Sequence, residues 1–188
     1  MRKLISIVGI SILGSFLTGE EGFSKVLKNE ISFGLGRGTL FEIPPPPLPW
    51  GLRTEIKAIT PVIFVSYMHE ITKRFSFGGM LFYQKIKEIT KGIVGTTEET
   101  EKFIGILVKV RGYYYNGEKL KLSRELGGGL VEWNEREQTR EGVVEWKEIE
   151  PIFQITPLGI SYGKNLSFFF RVGLGPEGII NGGISYRF

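Results

Sequence analysis

The sequence has no cysteine and no aspartate, a single histidine, and no internal apolar run near the length of a membrane-crossing helix. Each shortage removes a class of chemistry. Without Cys there are no disulfides, no thiolate metal sites, no Cys nucleophile and no lipid-anchored Cys behind a leader. Without Asp there is no EF-hand loop and no aspartic dyad or aspartyl phosphoryl transfer, since all 20 acidic residues are Glu. Net charge is also scarce: the formal +4 becomes +2 if Arg2 and Lys3 leave with a leader. A chain so nearly balanced does not point to nucleic acid as a partner.

Aromatic residues and glycine are plentiful instead, with 14 Phe, 7 Tyr, 3 Trp and 26 Gly in 188 residues. That mixture favours an all-β fold over a helix bundle. At the front, Arg2 and Lys3 precede an apolar run of fourteen residues, Leu4 to Leu17, followed by Thr18 and Gly19. The run is too short for a bilayer and has the proportions of an export signal. The expected organisation is a signal peptide over residues 1–19, removed on export, and one β-barrel domain over 20–188.

Beyond the leader, apolar residues recur with a period of two. Ile180, Gly182, Ile184, Tyr186 and Phe188 alternate with Ile179, Asn181, Gly183, Ser185 and Arg187. Leu166, Phe168, Phe170, Val172 and Leu174 alternate with Ser167, Phe169, Arg171 and Gly173. Successive strand residues point to opposite faces, so each segment is a ribbon with one apolar and one mostly polar side. The same test succeeds over 30–36, 58–67, 75–84, 104–114, 119–130 and 148–156, which predicts eight strands. Arg124 interrupts one pattern and marks a bulge or a membrane edge. Expected links alternate between long (Arg37 to Glu55, Glu88 to Lys102, Asn134 to Val144) and short (Met68 to Arg74, Asn116 to Glu118, Gly163 to Asn165), with Gly175 to Gly178 a tight exception.

Alternation alone does not choose the outer face, because a secreted ligand-binding barrel lines its cavity with the apolar side. The charges decide it. Glu30, Lys109, Arg111, Glu125, Glu148, Glu150, Arg171 and Arg187 all fall on the polar face in mid-strand. They would spoil a greasy cavity but can pair inside a narrow barrel. Tyr67, Tyr83, Tyr162, Tyr186 and Phe188 lie near expected turns, where an aromatic girdle sits. Closing the sheet removes the unpaired edges that hydrocarbon does not tolerate. The expectation is an eight-stranded antiparallel up-and-down transmembrane β-barrel, with long links outside and both mature termini on the periplasmic side.

The final strand, Gly182-Gly183-Ile184-Ser185-Tyr186-Arg187-Phe188, resembles the C-terminal signature of outer-membrane barrels. The stretch Thr156 to Gly175 is similar to the last hairpin of small porin-like proteins of the OmpA/OmpX type in Gram-negative bacteria. The resemblance implies an assembly signal at Ile184, Tyr186 and Phe188 that the barrel-assembly machinery reads. It also implies outer-membrane lipid and lipopolysaccharide as surroundings.

Within this frame Glu30, Glu148 and Glu150 are expected to pair with Lys109, Arg111, Arg171 and Arg187 in a narrow lumen filled by its own side chains. His69 has Ser66 and Glu70 nearby, the residue types that lipid-modifying barrels use. It is expected in a periplasmic turn, with Ser66 on the opposite face, so it reads as a solvated residue and not a base. No catalytic residue, metal ligand set or cofactor motif is assigned. Pro44-Pro45-Pro46-Pro47-Leu48-Pro49-Trp50 favours a stiff polyproline II rod, read as a surface loop returning over the barrel mouth or displaying Trp50. Gly34 to Gly38 lacks the helix of a phosphate loop, and Gly127 to Gly129 reads as a bend. The leading function is a structural or surface-interaction barrel. A lipid-modifying enzyme, a small channel and a secreted binding barrel are the alternatives.

Overall fold

The computed structural model describes residues 29–42, 53–92, 95–139 and 142–188. The leader at 1–19 and the stretch Pro44 to Trp50 lie outside the described residues. Nine strands are described: β1 (Asn29–Arg37), β2 (Arg53–Ala58), β3 (Val62–Thr72), β4 (Phe75–Gly92), β5 (Gly95–Asn116), β6 (Leu120–Thr139), β7 (Gly142–Gly163), β8 (Leu166–Leu174) and β9 (Ile180–Arg187). All but β2 pair antiparallel in chain order, and β1 pairs with β9, so eight strands close into an all-β up-and-down barrel. The remaining strand, β2, lies outside the ring and pairs with the far half of β4.

The predicted second strand, 58–67, is broken in the structure. The ladder along β4 is interrupted at Ile59, Thr60 and Pro61, where the amides of Ile59 and Thr60 both donate to the Lys85 carbonyl at 3.0 and 3.1 Å. Proline has no N–H to continue a ladder, so the chain bends there and β3 begins at Val62. Pro157 works similarly in β7. Thr156 and Gly159 both face inward with Pro157 and Leu158 exposed between them, and the register shifts against both β6 and β8. One extra residue at a proline is a β-bulge, and Arg124 stands on the facing stretch of β6.

Two expected loops are strands instead. Residues 88–102 and 134–144 continue the β4–β5 and β6–β7 ladders almost to the hairpin tips. Here β1, β8 and β9 have 8 or 9 residues, whereas β5 and β7 have 22 each. The barrel wall is therefore uneven. It is low over β8, β9 and β1, and on the other side a sheet of β2, β4, β5, β6 and β7 rises well past the rim. Among the described residues β8 stops with Leu174 opposite Ile155, which leaves the earlier part of β7 with a free edge.

Outward positions form an apolar belt around the whole ring. Ile31, Val65, Leu81, Ile106, Leu130, Phe153, Phe168 and Ile184 supply one example from each barrel strand, and all are exposed. At the end that carries the short turns, Tyr67, Tyr114, Tyr162, Tyr186 and Phe188 are exposed on the same surface. The Arg124 guanidinium lies 5.1 Å from the Tyr114 ring centroid in that zone, a cation over a π face at the belt's edge.

The interior is mixed, where the sequence reading expected a mostly polar centre. Val62, Phe64 and Met68 of β3, Met80 and Phe82 of β4, Leu107 of β5 and Phe169 of β8 are buried there. Every barrel strand also buries polar or charged groups, Lys109 and Arg111 of β5 among them.

Candidate functional site

The inward parity of β5 places Lys109 and Arg111 two residues apart in the interior, both buried. Around them the fold gathers carboxylates from three other segments. Glu30 on β1 accepts Arg111 Nη1 at 2.6 Å through Oε1 and Arg187 Nε at 2.8 Å through Oε2. Glu125 on β6 receives Arg111 Nε at 2.7 Å, Lys109 Nζ at 2.5 Å and Arg171 Nε at 3.2 Å. Glu177 takes Lys109 as well, and Arg171 Nη1 at 3.6 Å. Three carboxylates thus meet four cations, all nearly without solvent contact, and the Arg171 guanidinium also lies 4.1 Å from the Phe169 ring centroid. Removing one partner from so buried a set leaves charge uncompensated, a loss on the order of 3–5 kcal/mol.

Glu177 is the residue that the sequence reading missed. It sits in the tight β8–β9 link, which dips into the barrel and is itself buried. Gly175 and Gly178 take positive φ, 141° and 93°, to make the turn. The Glu177 amide donates to Gln154 Oε1 at 3.0 Å, and Asn181 Nδ2 donates to Glu177 Oε2 at 3.4 Å. Gly36 makes room: a Cβ there would collide with the Glu177 carbonyl oxygen.

Glu148 and Glu150 are not part of this cluster, contrary to expectation. Both have the inward parity of Gln154, but they pair with Trp133 and Val131 on the raised sheet and are exposed. The facing strands β8 and β9 have ended at that height, so among the described residues neither strand brings a cation to them from across the barrel. Parity gives a residue's face; it does not give its height.

Toward the short-turn end a second polar layer contains Lys121 and Glu70, 3.5 Å apart, with Asn116 Nδ2 donating to Glu70 at 3.0 Å. His69 lies within β3 and not in a turn, a correction to the sequence reading. Its Nδ1 is 2.9 Å from Asn29 Oδ1. Ser66 is buried on the opposite face of that strand, so the structure does not bring the two together. Ile184, Tyr186 and Phe188 are exposed along β9, with the last two rings stacked at 6.1 Å. Backbone bonds of 2.9 and 3.0 Å tie Phe188 to Asn29.

At the long-hairpin end the link after β1 folds over the barrel mouth through a 3₁₀ turn at Leu40–Glu42. Thr39, fully buried, donates to Gln84 Oε1 at 2.7 Å, and Gln84 Nε2 donates to Glu42 at 2.7 Å. This anchoring brings Phe41 against Phe103 and Phe82, with centroids 4.1 and 6.2 Å apart. Above it, the concave side of the raised sheet encloses a hollow. Among the described residues no group of three metal-binding side chains occurs. No family model matches this chain, and no curated protein is significantly similar to it.

Proposed function

We propose that the chain is an integral protein of a bacterial outer membrane, with a structural or surface-interaction role and no catalytic one. The observation that carries this reading is the inversion of polarity across the wall. The outer surface is apolar on every barrel strand, while charged groups are buried within. Water favours the opposite arrangement, and a lipid bilayer favours this one. The 8- and 9-residue strands β1, β8 and β9 are close to the length a tilted strand needs to cross hydrocarbon. Exposed tyrosines at the short-turn end fit an interfacial girdle.

On this reading the short turns, Asn29 and Phe188 face the periplasm, and the raised sheet stands outside the cell. Outer-membrane lipid and lipopolysaccharide contact the belt. The OmpA/OmpX-type resemblance makes Ile184, Tyr186 and Phe188 the signal for the barrel-assembly machinery. The ion-paired interior, with Glu177 inserted from one end, acts as a plug against solutes. Cell fractionation with protease applied from outside tests the reading. The chain is expected in the outer-membrane fraction, requires detergent for extraction, and is cut only in the raised hairpins. Planar bilayers should show no large, stable conductance steps. A water-soluble monomer after export would overturn the location, and steady large conductance would overturn the plug.

A further inference from the structure

The mouth at the short-turn end encloses a hollow of about 540 Å³. Lys73, Lys121, Lys164 and Arg187 line it, together with two carboxylates, Glu70 and Glu118. Lys164 and Glu118 hold each other at 2.6 Å on the exposed rim. Deeper in, the Lys121 and Glu70 side chains are both more than nine-tenths buried, yet they stand 3.5 Å apart. That is long for opposite charges in an interior. Glu70 Oε1 accepts Asn116 Nδ2 at 3.0 Å, while Oε2 faces the Lys121 ammonium across the gap. The Tyr113 ring, 5.2 Å from Lys121 Nζ, steadies the ammonium without cancelling its charge. Arg187 adds to the imbalance. It belongs to the buried set in which four cations meet three carboxylates, and the Lys121–Glu70 pair leaves that surplus of one positive charge unchanged among the described residues. Buried charge in excess is costly unless an opposite charge comes near.

We propose that this mouth binds inorganic phosphate in its hydrogen phosphate form. Lys121 and Arg187 take the anionic oxygens, Lys73 and Lys164 add to the positive field, and the remaining hydroxyl donates to Glu70 Oε2. The carboxylate is what chooses among oxyanions. Sulfate and the phosphodiester of a lipid headgroup have no O–H to offer at neutral pH, so each would set a bare oxygen against Glu70. The proposal does not depend on the membrane location and is tested on the purified full chain in a nonionic detergent, so either can fail without the other.

The probe is inorganic phosphate, compared by calorimetry with sulfate and with dimethyl phosphate as a diester. Phosphate should saturate a single site with Kd of about 1 mM or tighter, and the other two should bind at least about tenfold more weakly. K121Q should weaken phosphate about tenfold, whereas E148Q, at the far end of the molecule, should leave it unchanged. E70Q keeps the shape and stays informative if K121Q does not fold. It offers an N–H where the carboxylate accepted, so sulfate should gain about tenfold and the preference for phosphate should vanish. Equal affinity for phosphate and sulfate in the unaltered chain, or a preference that survives E70Q, would overturn the proposal. So would the absence of saturation, or saturation only after residues 20–28 are removed, which would make the chain itself the occupant.

Discussion

Two sets of glutamates face the axis of this molecule, and they live differently. Glu30, Glu125 and Glu177 are enclosed by Lys109, Arg111, Arg171 and Arg187 inside the ring. Glu88, Glu101 and Glu150 line a hollow on the raised sheet beside Phe41, Phe103 and Trp133, outside the buried cluster. Strand β5 contributes to both places, with Lys109 and Arg111 low and Glu101 high. Residue type and parity are shared, so the difference comes from what stands across the axis. Inside the ring the opposite wall is within reach of a long side chain. On the raised sheet that wall is gone.

The contrast can be broken most sharply at Glu125. Replacing it by Leu strands three buried cations, and the E125L barrel should lose about 3–5 kcal/mol in urea-unfolding experiments followed by tryptophan fluorescence. A loss below 1 kcal/mol would mean that water or a relaxed lysine compensates, and that the cluster is looser than its distances indicate. At Glu177 the amide variant E177Q keeps the shape but removes the charge, and about 1–3 kcal/mol should go. Gly36→Ala attacks the same contact from the wall side. Its methyl group should displace the inserted link and cost about 1–3 kcal/mol, with protease cutting newly detectable near Gly175. On the other side of the comparison, E148Q should change stability by less than about 0.5 kcal/mol. If E148Q proved as harmful as E125L, height along the barrel would not be what separates the two sets.

Much of the barrel could be read from alternation. The outward set Ile104, Ile106, Val108 and Val110, and the inward set Gly105, Lys109 and Arg111, stand where a two-residue period puts them. The signal faded where its cause did. Residues 88–102 mix Glu, Thr and Lys, so the contrast between faces disappears and the segment looks like a loop, although its backbone continues the β4–β5 ladder. Lys109 and Arg111 were legible as interior cations, but Glu177 was not, because a five-residue link has no parity to read. The displacement of Glu148 and Glu150 has the same root: the end of β8 at Leu174 is a property of another strand. Phe41 and Trp133 carried no local mark that they would meet Phe103 at one mouth.

The free edge that the described residues leave along β7 has a consequence for association. A bare strand edge invites a neighbour's strand. Pro151 offers no amide along that edge, and Lys147, Glu148 and Glu150 put charge beside it. A missing donor and charged side chains are the usual means by which an edge discourages pairing with another strand, so β7 carries along its open side its own resistance to edge-to-edge association.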